Sequence, residues 1–146
     1  MSVDVTSEIV IRSPLSEVAD YAANPLNAQI WSGNVRSVNW LTEPPLQVGS
    51  AITFTASFLG RQMSYTYQVI EFEPHARLIM RSSDALFEME TTFIWTATSQ
   101  TTTRMTLRNY GEPAGFFKIA SPVISIAMQR AMTQDLTKLK DILENK

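Results

Sequence analysis

The sequence predicts an α+β domain in which a curved, seven-stranded antiparallel sheet wraps around a long C-terminal helix. Runs of alternating apolar and polar residues, separated by turn signals, fill most of the chain as far as residue 110. After Gly111 the apolar residues recur every three or four positions, which is the period of an amphipathic helix. Because one helix cannot cover seven flat strands, we expect the sheet to curl and leave space near one end.

Two short helices are predicted between the first and second strands. Residues 3–11 are rich in β-branched side chains and mostly alternate in polarity, which predicts the first strand. Ser13-Pro14 then gives a helix start, with Ser as the cap and Pro at the first helical position. Asn24-Pro25 repeats this signal, so a second helical piece is expected to reach Trp31.

Six further strands are predicted between residues 35 and 110, joined by turns rich in Gly, Pro, Ser and Asp. A period of two places alternate residues of a strand on one face, normally the covered face. Three such sets are Ile52, Phe54, Ala56 and Phe58; Met63, Tyr65, Tyr67 and Val69; and Met89, Thr91, Phe93 and Trp95.

The long helix is predicted to begin at Ser121-Pro122, a third pairing of Ser with Pro. If it extends to Asn145, it is about 36 Å long at 1.5 Å per residue, enough to cross a small domain. The stretch 116–120 before it is expected to be a separate helical turn or a kinked extension.

Composition excludes several classes of function. The chain has 146 residues, expected to form one domain over 1–146, and its 12 basic and 14 acidic residues give a net charge of −2. This balance does not suit nucleic acid, and no run approaches the roughly 18 apolar residues of a membrane-spanning helix. The absence of cysteine fits a reducing compartment, and no signal peptide is visible, so we expect a cytoplasmic location.

Several short segments, in this order and spacing, resemble the START-related, polyketide-cyclase-like superfamily. They are Ser13-Pro14-Leu15-Ser16-Glu17-Val18, Trp31, Val48-Gly49-Ser50, Gly60, Val69-Ile70-Glu71-Phe72-Glu73-Pro74, Thr103-Arg104-Met105-Thr106 and Leu136-Thr137-Lys138-Leu139-Lys140. The resemblance implies the helix-grip fold. It also implies an apolar cavity between sheet and long helix, used for ligand binding, lipid transfer or, in some members, aromatic-ring cyclisation.

Aromatic and methionine side chains are the candidate wall of this cavity, with Tyr65, Tyr67 and Asn109 as candidate polar contacts. A buried phenol needs a hydrogen-bond partner, which a bound carbonyl or hydroxyl could supply. Taken singly, each residue is compatible with ordinary core packing. The predicted set is Phe54, Phe58, Met63, Tyr65, Tyr67, Met89, Phe93, Met105, Asn109, Met128 and Met132.

The charged residues suggest no catalytic or metal site, and we expect no cofactor. His75, the single histidine, follows Glu73-Pro74 in a predicted turn, where it would lie in water. With no cysteine and no clustered acids, the usual zinc and iron ligand sets are lacking. Strand parity places Glu88, Glu90, Arg104 and Arg108 on the outer face.

Three functions remain open. The first is a carrier that binds a small hydrophobic molecule, which requires a cavity of about 300 Å³. The second is an enzyme like the polyketide cyclases and dehydratases, which would position a substrate and polarise its carbonyls. The third is a cochaperone-like interaction module, which would need a sizeable apolar patch on the outer sheet face, where Val38 and Ile94 are too scattered to favour it. A homodimer is also left open.

Overall fold

The structure, a computed structural model, describes residues 3–58, 60–82, 87–113 and 116–146, without the side chains at 58, 87, 113, 116 and 117. Its strands are β1 (Val3–Ile11), β2 (Val35–Trp40), β3 (Ala51–Phe58), β4 (Arg61–Glu73), β5 (Arg77–Ser82), β6 (Phe87–Ala97) and β7 (Thr103–Pro113). Its helices are α1 (Leu15–Ala23), α2 (Ala28–Trp31), α3 (Phe116–Ile119) and α4 (Ser121–Glu144), with a 3-10 turn at Pro25–Asn27.

The seven strands form one antiparallel sheet in the order β1-β7-β6-β5-β4-β3-β2. Strands β2 to β7 follow one another in space as in sequence, and β1 closes the series by pairing with β7. Helix α4 packs along β1 and the inner face of the sheet. The predicted α+β architecture, with its long C-terminal helix and short helices after the first strand, is therefore confirmed.

The starts of the helices differ in detail from the prediction. Ser13 does not cap α1, because its Oγ donates to Glu17 Oε2 at 3.0 Å and Pro14 occupies the cap position. Ala120, not Ser121, is the cap residue of α4. The Asn24 signal holds, since Asn24 Oδ1 accepts from the backbone N–H of Leu26 at 3.1 Å.

Two register shifts change which side chains face inward. Between Val69 and Glu71 the pairing of β4 with β5 slips by one residue, so Phe72 comes to lie opposite the buried Leu78. A second shift lies between Val35 and Ser37 in β2. Beyond it Val38 lies opposite Phe54 and shares its inner face, so the predicted outward position of Val38 is wrong.

The packed core lies at one end of the space between sheet and helix. Trp95 contacts Phe93 edge to face, with ring centroids 5.9 Å apart, at the end of β6 that pairs with the start of β7. We call this the core end. Its buried side chains include Ile11, Val18, Val69, Trp95, Met105, Leu136, Leu139 and Leu143.

The outer face of the sheet is polar. Glu88 and Arg104 are exposed, as their parity predicts, and Ile94 is 40% exposed. Apolar side chains on the described part of this face are interspersed with charged ones, so the patch expected for an interaction module is not found there. Ion pairs among the described residues of this face include Asp4–Arg108, Arg81–Glu90 and Arg77–Glu71.

His75 lies in the turn between β4 and β5, as expected, with a positive φ of 65°. Its Nε2 is 2.8 Å from Asp20 Oδ1 on α1. The contact links the first helix to the turn at the core end of the sheet, and both side chains are substantially exposed to solvent. No helix in the described part of the chain is long and apolar enough to cross a membrane.

Candidate ligand-binding cavity

A cavity of about 230 Å³ lies between the sheet and the N-terminal half of α4. Its strand residues come from the part of the sheet nearer the end of β3 and the starts of β4 and β6. We call this the cavity end. The predicted site residues that line it are Phe54, Met63, Tyr65, Tyr67, Met89, Phe93, Asn109, Met128 and Met132.

Two predicted site residues do not belong to the described wall. Met105 shares the inner face of β7 with Leu107 and Asn109, but it is fully buried in the core and does not line the cavity. The prediction that Met105 lines the cavity is therefore corrected. Alternation along a strand determines which face of the sheet a side chain lies on, but not whether it lies in the core or at the cavity. The side chain of Phe58 lies outside the described residues.

The wall also contains residues that were not predicted as site residues. Thr91, Leu78 and Leu107 follow the same strand alternation as the predicted set and could have been found from it. Asp135 falls three residues after Met132, on the same helix face. The short helices gave no periodic signal, although they contribute Ala22, Ala23, Pro25, Ala28, Trp31 and Ser32.

A cluster of three uncharged polar side chains lies on the sheet side of the wall. Thr91 Oγ1 is 2.6 Å from Asn109 Oδ1 and 3.5 Å from the Tyr67 hydroxyl. Desolvation raises the pKa of Tyr67, so the phenol stays protonated at neutral pH. The neighbouring Tyr65 hydroxyl is 3.3 Å from the thioether sulfur of Met63. The cluster therefore presents neutral hydrogen-bonding groups to an otherwise apolar space.

Asp135 is the charged residue of the described wall. Its Oδ1 accepts from the backbone N–H of Gly33 at 2.9 Å, and its Oδ2 accepts from Ser32 Oγ at 3.0 Å. Burial raises the pKa of Asp135, and the two donors act in the opposite direction. These bonds attach the turn between α2 and β2 to the long helix, beside the cavity.

The wall is mostly apolar, and its described residues include no Lys, Arg or His. Nor do three His, Cys, Asp or Glu side chains come together anywhere in the described residues as a metal site would require. The indole Nε1 of Trp31 is buried without a hydrogen-bond partner among the described residues. Such a site can solvate an apolar molecule and hydrogen-bond to one polar group of it.

The size of the cavity limits its occupant. A volume of 230 Å³ is smaller than the roughly 300 Å³ expected of a carrier cavity. A dry cavity of about 150 Å³ holds benzene, so by proportion this one fits about nine heavy atoms. A single ring with a short substituent matches that volume, whereas a longer ligand would extend through its open side.

Residues 2–144 match the family described as polyketide cyclase / dehydrase and lipid transport. No curated protein matches the chain in sequence. Among solved structures, the chain is similar to TTHA0849 from Thermus thermophilus, with a TM-score of 0.82, 17% identity and 96% of each chain covered.

Two further structures share the fold at lower identity. Zhui aromatase/cyclase from Streptomyces sp. R1128 has a TM-score of 0.85 and 12% identity, with 99% of this chain and 95% of that chain covered. A START superfamily protein from Mycobacterium smegmatis has a TM-score of 0.84 and 10% identity, with 97% of both chains covered. At these identities the likeness concerns the fold.

Proposed function

The chain belongs to the polyketide cyclase / dehydrase and lipid transport family, and from that premise we propose that it binds a small, mainly apolar molecule in the cavity between the sheet and α4. The observation that carries the proposal is a space lined by aromatic and methionine side chains where a well-packed domain would be filled. Thioethers and aromatic rings adapt to varied apolar shapes, which suits a binding wall.

The first test is to fill the space. Ala131 lies on α4 and lines the cavity, so Ala131→Phe should occupy part of it and lower the affinity for an apolar probe such as ethylbenzene at least tenfold. Gln134→Phe is the matched control, because it adds the same ring at an exposed position of the same helix. If both variants bind ethylbenzene as the unmodified protein does, the cavity is not the binding site.

Native mass spectrometry of freshly purified protein complements this test. A copurified small molecule, released on denaturation and identified by its mass, would give the ligand class directly. We expect a compound with a ring or similar apolar part of about nine heavy atoms, the portion that this volume encloses. A copurified compound without such an apolar part would contradict the proposal.

A second candidate function is catalysis on a bound carbonyl compound. The cluster of Tyr67, Thr91 and Asn109 favours it, because neutral donors fixed in an apolar space can stabilise charge that develops on an oxygen. The likeness in fold to an aromatase/cyclase is compatible with this idea. Tyr67→Phe separates the two functions, since a carrier loses modest affinity whereas an enzyme loses turnover and retains binding.

A further inference from the structure

We infer that the cavity selects an uncharged ligand with a carbonyl-type oxygen, bound by the amide of Asn109, and that it rejects carboxylates of the same size. The inference rests on the proposed function and adds the chemical class of the ligand. A small aryl ketone is the simplest compound with these properties. Three observations carry it: the surplus donors of the polar cluster, the charge of the wall, and the volume.

The polar cluster has more hydrogen atoms to donate than it uses internally. Tyr67 and Thr91 carry one hydroxyl hydrogen each, and the amide of Asn109 carries two. Thr91 touches both neighbours, so two hydrogen bonds hold the cluster together. Asn109 Oδ1 can only accept, so the one hydroxyl hydrogen of Thr91 lies in that bond and Tyr67 donates to Thr91 Oγ1. Two hydrogens therefore remain, both on Asn109 Nδ2, and no other described residue accepts a hydrogen bond from these three side chains.

Surplus donors favour an acceptor on the ligand. A buried N–H or O–H without a partner costs more than an oxygen with one unused lone pair. Both surplus hydrogens belong to the amide of Asn109, which lines the cavity, so a ligand oxygen beside it can accept from Nδ2. A ketone oxygen carries no hydrogen and can only accept, which matches this donor.

The charge of the wall opposes an anion. Its charged residue is the carboxylate of Asp135, which is already held by Ser32 and Gly33. Lys138, one turn farther along α4, is exposed and does not line the cavity. A bound carboxylate would be buried without a counter-charge and near another carboxylate, which is unfavourable on both counts.

The test uses three probes of nearly equal size on the full chain at neutral pH. Acetophenone offers a ketone, benzoate a carboxylate with the same number of heavy atoms, and ethylbenzene no polar group. In ¹H–¹⁵N NMR titrations we expect acetophenone to bind roughly 3- to 10-fold more tightly than ethylbenzene, the range that one or two hydrogen bonds provide. We expect benzoate to bind at least tenfold more weakly than acetophenone.

Variants assign the effect to the cluster. Asn109→Leu should abolish the preference for acetophenone over ethylbenzene. Thr91→Val should also weaken acetophenone binding, but by less, because it removes the hydroxyl that orients the other two side chains. Thr91→Ser, which keeps the hydroxyl, is the matched control and should retain the preference for acetophenone. Dispersed amide spectra establish that each variant is folded.

The outcomes separate this inference from the proposed function. If ethylbenzene binds as tightly as acetophenone, or benzoate binds as tightly as either, the inference fails and the cavity remains a binding site. Asn109→Leu with an unchanged ketone preference would also overturn it. If none of the three probes shifts amide signals of cavity residues, the proposed function fails together with the inference.

Discussion

The two ends of the space between sheet and α4 are built from the same helix and the same strands, yet one is filled throughout and the other contains the cavity beside a smaller buried cluster of Val3, Met89 and Ile124. At the core end α4 contributes Leu136, Leu139 and Leu143, all at most 4% exposed. At the cavity end it contributes Met128 and Ala131, which remain partly accessible. Regularly spaced leucines fill the gap between a helix and a curved sheet, whereas the small side chain of Ala131 leaves part of it empty.

The two ends differ equally in their polar groups. At the core end the buried Thr103 donates from Oγ1 to the backbone oxygen of Ser13 at 2.8 Å, so its hydroxyl hydrogen is used within the protein. At the cavity end the cluster around Thr91 retains hydrogens that no described residue accepts. A hydrogen bond completed within the protein stabilises the core end, whereas the unused donor hydrogens at the cavity end are available to a ligand.

The largest expected effect is on packing. Leu139→Ala should lower the free energy of unfolding by about 3 kcal/mol, because it opens a void where the side chain is fully buried. Met128→Ala should cost only about 1 kcal/mol, since its side chain already borders open space. Urea denaturation of both variants measures the difference. Equal losses would mean that the two ends are packed alike.

A smaller effect is expected on the buried hydroxyls. Thr103→Val leaves the backbone oxygen of Ser13 without this donor and should cost about 1–2 kcal/mol of unfolding free energy. Thr91→Val should cost less than about 1 kcal/mol, because the groups it leaves face the cavity. Urea denaturation of both variants compares the unfolding free energy contributed by a hydrogen bond in the core with that contributed by one at the cavity. A larger loss for Thr91→Val would reverse that assignment.

The smallest effects are expected in pH dependence, where two carboxyl groups of α4, beside the cavity and at the helix end, have opposite signs. Burial raises the pKa of Asp135 above 3.8, so its contribution favours the folded state in acid and is lost as pH rises through the folded pKa. Hydrogen bonds from the Arg12 backbone and from Lys140 lower the pKa of Glu144 from 4.5 to about 2. Its contribution is present above pH 4.5 and is lost as pH falls toward 2.

Asp135→Asn and Glu144→Gln separate these contributions. Thermal unfolding between pH 2 and 7 should show that Glu144→Gln weakens the loss of stability in acid. Asp135→Asn should instead remove a decline that occurs as pH rises above about 4. Parallel profiles for the two variants would contradict the opposite signs.

The sequence predicts the elements of this fold better than the depth of its residues. Period-two alternation in β4 and β6 correctly places Tyr67, Met89 and Phe93 on the inner face, because a covered sheet face demands it. The same alternation cannot tell Met105 in the core from Asn109 at the cavity, since position along the strand depends on what packs above it.

Register shifts and short helices account for the other differences. The shift in β2 moves Val38 inward, and a bulge of one residue has no reliable signature in a single sequence. Trp31 and Pro25 reach the cavity from segments too short to show a period. The sequence predicts Ser13 as a helix N-cap, but its hydroxyl donates a hydrogen bond to the side chain of Glu17 instead.

The pairing of β1 with β7 has a consequence for folding order. Strands β2 to β7 can associate as successive hairpins, each closed by a local turn. The partners in β1 and β7, such as Val3 and Gly111, are about a hundred residues apart, so their association closes a loop that spans most of the chain. During synthesis, β1 is the first of the seven strands to be made and must wait for β7 and for α4, which packs on it. The first strand made is therefore among the last to dock, and the cavity is completed only once α4 has been translated.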